Sequence, residues 1–412
     1  MLQTNKNKLG NPINKLTHLV SQRILRLFTL AIILLTFATA CSPPQGVAKD
    51  RIFLPLSIDF LSEYQLPKID FDSVPVGGLS GIAYDGKGTA TPNDPAFRFY
   101  AISDDPSEYG DARFYTLKLN LAAADSVKNN INKVTVEGVT YLVGEDGKTF
   151  SKDSINPEGI AISPRKSVFV ASEGVTHIGI PPFVREFDLK TGKMRGSLPI
   201  PERYIPDTTD EKQARGVVDN LGFESLTIDP ESLSFDGLDP FRIFTAIEAP
   251  LVQDSDPEQA KNLRLLHYVI VDKTAQLVSE NFYQLDPAPL TILNGLTELV
   301  AVGKGGHFLS LERSFGLSGY GAKIFQLALG GATDTSRIYS LKGNVTTAEP
   351  IKKKLLLDLK DLGIPLYNLE GMTLGPRLSD GSQSLVLVSD DNFDEEQKTQ
   401  FILFRLKYIA RG

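Results

Sequence analysis

Carboxylates recur in this chain at the openings of short apolar runs. Glu158-Gly159-Ile160-Ala161-Ile162, Glu224-Ser225-Leu226-Thr227-Ile228, Glu298-Leu299-Val300-Ala301-Val302 and Glu370-Gly371-Met372-Thr373-Leu374 share the pattern, and Ser80-Gly81-Ile82-Ala83-Tyr84 carries a hydroxyl in its place. In each repeat a second run ends in an acid: Asp104, Glu173, Glu248, Glu312 and Asp390. A third run opens with a base or amide: Arg113, Arg185, Arg264, Lys323 and Gln400. Antiparallel neighbours set the start of one strand beside the end of the next, so each repeat should gather two acids and one base at one end. The expected sets are Asp104 with Arg113, Glu173 with Arg185, Glu248 with Arg264 and Glu312 with Lys323.

The acids outnumber the bases, and hard oxygen donors in surplus suit calcium, which takes about 6–8 oxygen ligands. Asp104, Asp105, Glu158, Glu224, Glu298, Glu370 and Asp390 are the candidate metal ligands. Two acid doublets, Ser103-Asp104-Asp105 and Ser389-Asp390-Asp391-Asn392, follow strands directly and could face each other, although Asp and Asn also favour such ends as turn formers. Arg113, Arg185, Arg264 and Lys323 read as structural partners of these acids, because buried charges are costly unless paired.

Short β-branched and aromatic runs bounded by Gly, Pro, Asn and Asp read as strands. The first repeat predicts Gly78–Tyr84, Phe97–Ser103, Arg113–Leu119 and Lys133–Leu142; the second, Glu158–Ser163, Ser167–Ser172, Val184–Leu189 and Gly196–Ile200. The third predicts Glu224–Asp229, Phe241–Ile247, Arg264–Val271 and Gln276–Gln284; the fourth, Glu298–Val302, His307–Leu311, Lys323–Leu327 and strands somewhere within Arg337–Leu357. The fifth supplies only Glu370–Leu374, Ser384–Ser389 and Phe401–Tyr408. Repeats of this kind predict an all-β fold, a single β-propeller of four-stranded antiparallel blades, five favoured and six possible if an insert hides one. An N-terminal strand over Ile52–Phe60 would complete the last blade and close the ring, removing open edges. The polar segments Ile200–Leu221, Pro250–Asn262 and Gly330–Pro350 are long for connections in a compact fold.

Residues 1–40 read as a targeting segment: Lys6, Lys8, Lys15, Arg23 and Arg26, then an apolar stretch Leu27–Leu35, then Ala38-Thr39-Ala40-Cys41. This resembles a bacterial lipoprotein signal, with Cys41 lipidated and residues 41–51 a tether before a domain spanning 52–412. Ala38 stands where that pattern more often has Leu. Cys41 is the chain's single cysteine, so no intramolecular disulfide can form. Ser42 rather than Asp after Cys41 resembles lipoproteins sent to the outer membrane, which predicts attachment to the cell envelope. Removing residues 1–40 leaves 38 basic against 50 acidic side chains, a formal charge of −12. Such acidity argues against nucleic acid as a partner.

Other chemistry is poorly supported. Gly78-Leu79-Ser80-Gly81 and Gly316-Leu317-Ser318-Gly319 lack the glycine two places after serine that a nucleophile elbow carries. His177, His267 and His307 have no zinc-ligand spacing. Gly303-Lys304-Gly305-Gly306-His307 is a tight turn with no helix after it, not a phosphate loop.

Pro75-Val76-Gly77-Gly78-Leu79-Ser80-Gly81-Ile82, Phe99-Tyr100-Ala101-Ile102-Ser103-Asp104-Asp105, Ala112-Arg113-Phe114-Tyr115, Asn156-Pro157-Glu158-Gly159-Ile160, Ala171-Ser172-Glu173-Gly174 and Asn368-Leu369-Glu370-Gly371-Met372 together resemble the phytase-like domain family. The resemblance runs from Phe53 to Leu406. It implies an architecture similar to the β-propeller phytases, which hydrolyse phosphate esters with calcium at the channel mouth. On that footing the chain is expected to be an envelope-anchored, calcium-dependent esterase or phosphatase acting on small ester or phosphate-ester substrates, with Arg113, Arg185, Arg264 and Lys323 as holders of the phosphate oxygens or structural partners. A non-catalytic propeller binding a ligand or partner is the alternative, and a lactonase-type propeller with a metal in the channel is a third reading.

Overall fold

The strands of the predicted repeats assemble into five separate antiparallel sheets. The structure, a computed structural model, describes residues 52–409 apart from 92–93, 122–129, 208–212, 233–238, 257–260, 304 and 344. Residues 1–51, where a signal segment, the lipidated Cys41 and a tether are expected, lie outside the described residues. A strand β1 (Leu56–Leu66) and a small hairpin, β2 (Asp70–Phe71) with β3 (Val74–Pro75), precede the first blade. Blade 1 is β4 (Leu79–Thr91), β5 (Asp94–Ser103), β6 (Arg113–Leu121) and β7 (Ile131–Tyr141). Blade 2 is β8 (Pro157–Ser163), β9 (Ser167–Ser172), β10 (Phe183–Asp188) and β11 (Met194–Ser197). Blade 3 is β12 (Phe223–Ile228), β13 (Phe241–Ile247), β14 (Asn262–Val271) and β15 (Thr274–Gln284). Blade 4 is β16 (Thr291–Ala301), β17 (His307–Gly316), β18 (Gly319–Ala328) and β19 (Lys352–Asp358). Blade 5 takes β20 (Asn368–Arg377), β21 (Gln383–Asp390) and β22 (Thr399–Tyr408) from the C-terminus and β1 as its outer strand.

The ring closes as expected: β1 pairs antiparallel with β22 from Leu56 against Tyr408 to Leu66 against Thr399. This strand starts later and runs further than Ile52–Phe60, because β22 offers a partner as far as Thr399 and the polar residues Ser62, Glu63 and Gln65 sit comfortably on an outer edge. The outer strand of blade 4 falls at the end of its predicted window.

The inner strands β4, β8, β12, β16 and β20 each adjoin the next around the axis. The second strands are packed on both faces: β9 is buried throughout, and β13 and β21 nearly so. Stacked blades therefore demand continuous apolar runs there rather than alternation. Fully buried rings such as Phe99, Phe187 and Phe241 fill the layers between blades, each contributing roughly 1.5–3 kcal/mol of hydrophobic stabilisation. Around the axis the inner strands approach backbone to backbone. A Cβ on Gly81 would lie 2.5 Å from the Glu158 carbonyl oxygen, and one on Gly159 would lie 2.5 Å from that of Glu224.

The long inserts are pinned to blade 3. Arg264 donates through Nε to Asp254 Oδ2 (2.6 Å), through Nη2 to Asp254 Oδ1 (3.1 Å), and also to Glu280. Its remaining donors reach the carbonyls of Ile338 and Tyr339. Tyr204 completes the knot by donating to Glu280 Oε2 at 2.8 Å. One buried network thus holds residues from all three long polar segments.

Candidate metal centre

Every inner strand carries a β-bulge near its start, and these bulges build the site. The residue before each bulge pairs across the ladder as Leu79 with Ser103, Pro157 with Ser172, Phe223 with Ile247, Leu296 with Glu312 and Leu369 with Ser389. Ser80, Glu158, Glu224, Thr297 and Glu370 follow directly. The residues after the second-strand partners are Asp104, Glu173, Glu248, Arg313 and Asp390. Bulges re-aim side chains, and five of them repeated around an axis make a ring.

The ring is acidic and buried. Glu158, Glu173, Glu224, Glu248, Glu370 and Asp390 are each less than a tenth exposed, and Asp104 is half-buried. One carboxylate oxygen from each of Glu158, Glu173 and Glu224 lies within 4.8 Å of the other two. Arg313 is the cation among them. It donates to Glu248 Oε1 at 2.5 Å and Glu370 Oε1 at 2.7 Å, tying blade 3 to blade 5 across the ring, and to Asn368 Oδ1 at 2.6 Å. Glu173 accepts from Gly222 N at 2.6 Å and from Asn156 Nδ2 at 2.9 Å. Asp390 accepts from Asn392 N at 2.7 Å and from Asn368 Nδ2 at 3.2 Å. Among the described residues, no donor is within hydrogen-bond distance of the Glu158, Glu224 or Asp104 carboxylates.

Charge crowding shows in the acidities. Burial, then Glu224, Asp104 and Glu173, push the Glu158 carboxyl well above the ordinary range. Burial, then Glu173, Glu248 and Glu370, do the same to Glu224. Burial followed by Asp390 and Glu370 raises Asp104, so the two doublet-bearing strand ends do meet across the boundary of blades 1 and 5. Glu173 is raised to about 8, chiefly by burial and by Glu248 against the opposing hydrogen bond from Gly222. Asp390 is raised to about 6, burial outweighing its bond from Asn392. Burial opposes the charge on Arg313, but Glu248 and Glu370 hold its guanidinium strongly protonated.

Asp104, Glu158, Glu224, Glu370 and Asp390 thus converge, joined by Glu173 and Glu248 from the same sequence pattern. Asp105 lies apart: its carboxylate accepts from the backbone of Glu108 (2.6 Å), Tyr109 (3.2 Å) and Gly110 (3.0 Å) and from Arg113 (2.8 Å). Glu298 stands one residue beyond its bulge, where the other repeats have Gly81, Gly159, Ser225 and Gly371. Its Oε1 accepts from Leu226 N (3.1 Å) and Leu299 N (2.9 Å), and its carboxylate also takes a bond from Met372 N, so it ties together the inner strands of blades 3, 4 and 5. Beyond it lies an apolar cavity of about 310 Å³ lined by Ile82, Ile160, Leu226, Leu299 and Met372.

The four expected cations are not in the ring. Arg113 bonds Asp105 rather than Asp104, together with Tyr115 Oη and the carbonyls of Pro75, Gly110 and Asp111. Arg264 belongs to the blade 3 network. Arg185 lies over the Phe183 ring at 3.8 Å. Lys323 meets Asp286 at 3.3 Å, while Glu312 takes Lys353 at 2.5 Å. Third strands stand two ladder spacings, about 10 Å, from the inner strand, so their opening residues serve the blade rather than the axis.

Arg313 escaped the sequence pattern because Glu312 beside it looked like the strand-ending acid. The signal was present in the preceding residues. Aligning Gly78-Leu79-Ser80, Asn156-Pro157-Glu158, Gly222-Phe223-Glu224, Gly295-Leu296-Thr297 and Asn368-Leu369-Glu370 puts Thr297, not Glu298, in register.

This five-bladed ring sits on a chain whose residues 74–393 match the profile of the Phytase-like family, described by esterase-like activity of phytase. The chain belongs to that family. A search of curated proteins finds no match for this phytase-like chain. Similar solved structures include the Malassezia sympodialis allergen Mala s 1, at 13% identity, covering 82% of each chain with a TM-score of 0.37. An endo-arabinase from Bacteroides thetaiotaomicron is similar at 12% identity, covering 76% of this chain and 91% of the other, TM-score 0.37. The Dos1 propeller is similar at 8% identity, covering 80% and 68%, TM-score 0.31. At such TM-scores these likenesses support no argument about the activity of the phytase-like chain.

Proposed function

We propose that this phytase-like propeller binds a hard divalent cation, calcium first among them, in the axial carboxylate ring and hydrolyses an ester there. The juxtaposed oxygens of Glu158, Glu173 and Glu224 carry the reading. An oxygen-only, strongly anionic donor set fits calcium, whereas zinc favours nitrogen and sulfur. Glu158, Glu173 and Glu224 would hold the ion, with Asp104 and Asp390 on the blade 1–blade 5 side of the same ring. A bound cation supplies Lewis acidity toward an ester oxygen and its attacking water. Arg313 pairs with Glu248 and Glu370, which leaves the opposite arc of the ring as the one without a paired cation.

Phosphate release from phytate and a simple phosphomonoester by the full chain, in calcium and in chelator, tests this reading. Calcium-dependent turnover is expected. If phosphate esters and carboxyl esters are both untouched in calcium, the hydrolytic reading fails. A second reading has its own observation: Arg113 and Arg264 are saturated by internal partners, so Arg313 is the ring's single anion-holding side chain among the described residues. That arrangement suits a ring that binds a cation without catalysis, and a calcium-dependent thermal shift without turnover would establish it.

Envelope attachment through Cys41 belongs to the same proposal. The first strand begins opposite Tyr408, at the end of blade 5 away from the ring. Loss of membrane fractionation in Cys41→Ser tests the anchor.

A further inference from the structure

The loop after Glu173 carries a second piece of chemistry. It is closed by a bridge between Val175 and Ile180, with Thr176–Ile178 forming one 3₁₀ turn. Gly174, at φ 80°, enters it where a Cβ would lie 2.5 Å from the Ile180 carbonyl oxygen. His177 sits in this turn, four residues beyond Glu173. Its Nδ1 is 3.0 Å from Asp219 Oδ2. Asp219 is itself fixed: its Oδ1 accepts from Thr176 N at 2.8 Å and Thr176 Oγ1 at 2.7 Å. A carboxylate held at Nδ1 sets the ring orientation and tautomer, and Nε2 is left without a protein partner among the described residues. The His177 side chain is 62% exposed, so Nε2 can meet a substrate.

The pair is built onto the ring's own supports. Asp219 stands three residues before Gly222, whose N–H bonds Glu173 Oε1 at 2.6 Å, and five before Glu224. Asn156 Nδ2 bridges Glu173 Oε2 (2.9 Å) to Oδ1 of Asn220 (3.1 Å), the residue next to Asp219. The two loops that present Glu173 and Glu224 therefore also present His177 and Asp219 at the same end of blades 2 and 3. An imidazole oriented by a carboxylate, with its outer nitrogen open, is the arrangement general acid–base chemistry requires.

We propose that His177, oriented by Asp219, is the general acid for an ester hydrolysed at the carboxylate ring; this rests on the hydrolytic reading of that ring. The water oxygen bonds to the phosphoryl or acyl centre. The bond from that centre to the leaving oxygen breaks, and its electron pair takes the Nε2 proton of the doubly protonated imidazolium, leaving a neutral ring whose Nδ1–H stays on Asp219. The proton shed by the attacking water passes to solvent, from which the imidazole is recharged. Asp219 is a positioning residue.

Leaving-group dependence tests the assignment. The full chain in calcium is assayed on 4-nitrophenyl phosphate, whose phenolate leaves unaided, and on glycerol phosphate, whose alkoxide needs a proton; 4-nitrophenyl and ethyl acetates form the matching acyl pair. His177→Asn should lower kcat/KM on the alkyl substrate about 100-fold or more, within the usual range for general acid catalysis, and on the nitrophenyl substrate by less than about tenfold. Asp219→Asn should show the same bias with a smaller loss, and both variants should keep the parent's calcium-dependent thermal shift. Equal losses on both substrates, no loss, or a lost thermal shift overturns the role of His177 while the ring reading stands. A parent without calcium-dependent turnover on any of the four esters overturns both.

Discussion

Of the buried charge clusters among the described residues, the one at the rim of blade 3 is balanced and the one on the axis is not. At the rim of blade 3, Arg264 and Arg203 face Asp254 and Glu280, with the Tyr204 hydroxyl filling a remaining acceptor. On the axis, Asp104, Glu158, Glu173, Glu224, Glu248, Glu370 and Asp390 face Arg313. The rim cluster follows the rule that buried charges are paired and hydrogen-bonded. Its product is structural, since it fastens the segments around residues 203, 254 and 338 to the blade. The axial cluster breaks that rule at several carboxylates together. Local rules are most often broken where function requires it, and here the missing component is positive charge.

The contrast breaks most sharply at Arg264. Arg264→Ala leaves Asp254 and Glu280 buried beside a half-reaching Arg203, and removing one partner of a buried pair typically costs about 3–5 kcal/mol. Urea unfolding in chelator should show a loss of that size. The axial acids should respond with the opposite sign. Glu158→Gln with Glu224→Gln removes mutual repulsion, so the double variant should be more stable than the parent in chelator. In calcium the order should reverse, because an ion bound only to the native state adds about 2.7 kcal/mol at a hundredfold excess over Kd. A double variant with the parent's calcium shift would move the ion seat elsewhere.

How legible each cluster was follows from its geometry. The propeller, its blade number and the closing strand could be read because repeated strands and turn residues are local signals. Convergence of Glu158, Glu224 and Glu370 on the axis was also readable, since each opens an inner strand. The partners of Arg113, Arg264 and Lys323 were not. Asp254, Glu280 and Asp286 lie outside the strand-end pattern, in inserts and on outer strands, where sequence distance says nothing about which side chain turns inward. In blade 4 a one-residue offset between an acid and its bulge moved Glu298 out of the ring and Arg313 into it. Register is a matter of backbone pairing, and the acid alone does not report it; the residues before it do.

Acidity offers a finer test of the imbalance. A carboxyl whose folded value is raised favours the folded state fully below its unfolded value, and that contribution is lost as pH rises through the folded value. For Glu173 the window runs from the ordinary 4.5 to about 8, and for Asp390 from 3.8 to about 6. In chelator, stability should therefore fall as pH rises across these windows, and Glu173→Gln should flatten the upper part. Saturating calcium should shrink the fall, because the ion takes the place of protons. Tm measured against pH in chelator and in calcium checks both; identical curves would show that no ion competes for these sites.

The smallest expected effect marks where the axial site ends. Glu298 is as buried as the ring acids, yet its carboxylate is occupied by N–H groups of Leu226, Leu299 and Met372 on three inner strands. It therefore resembles the satisfied rim cluster more than its neighbours on the axis. Glu298→Gln keeps a carbonyl oxygen for those donors, so the change in stability should stay within about 1 kcal/mol, near the usual worth of one hydrogen bond. The calcium-dependent shift should remain that of the parent. If the amide instead abolished the shift, the donated N–H groups would be insufficient to hold Glu298 out of the ion's reach. The metal centre would then extend one residue down the channel, with blade 4 contributing a ligand beneath the arginine it places in the ring.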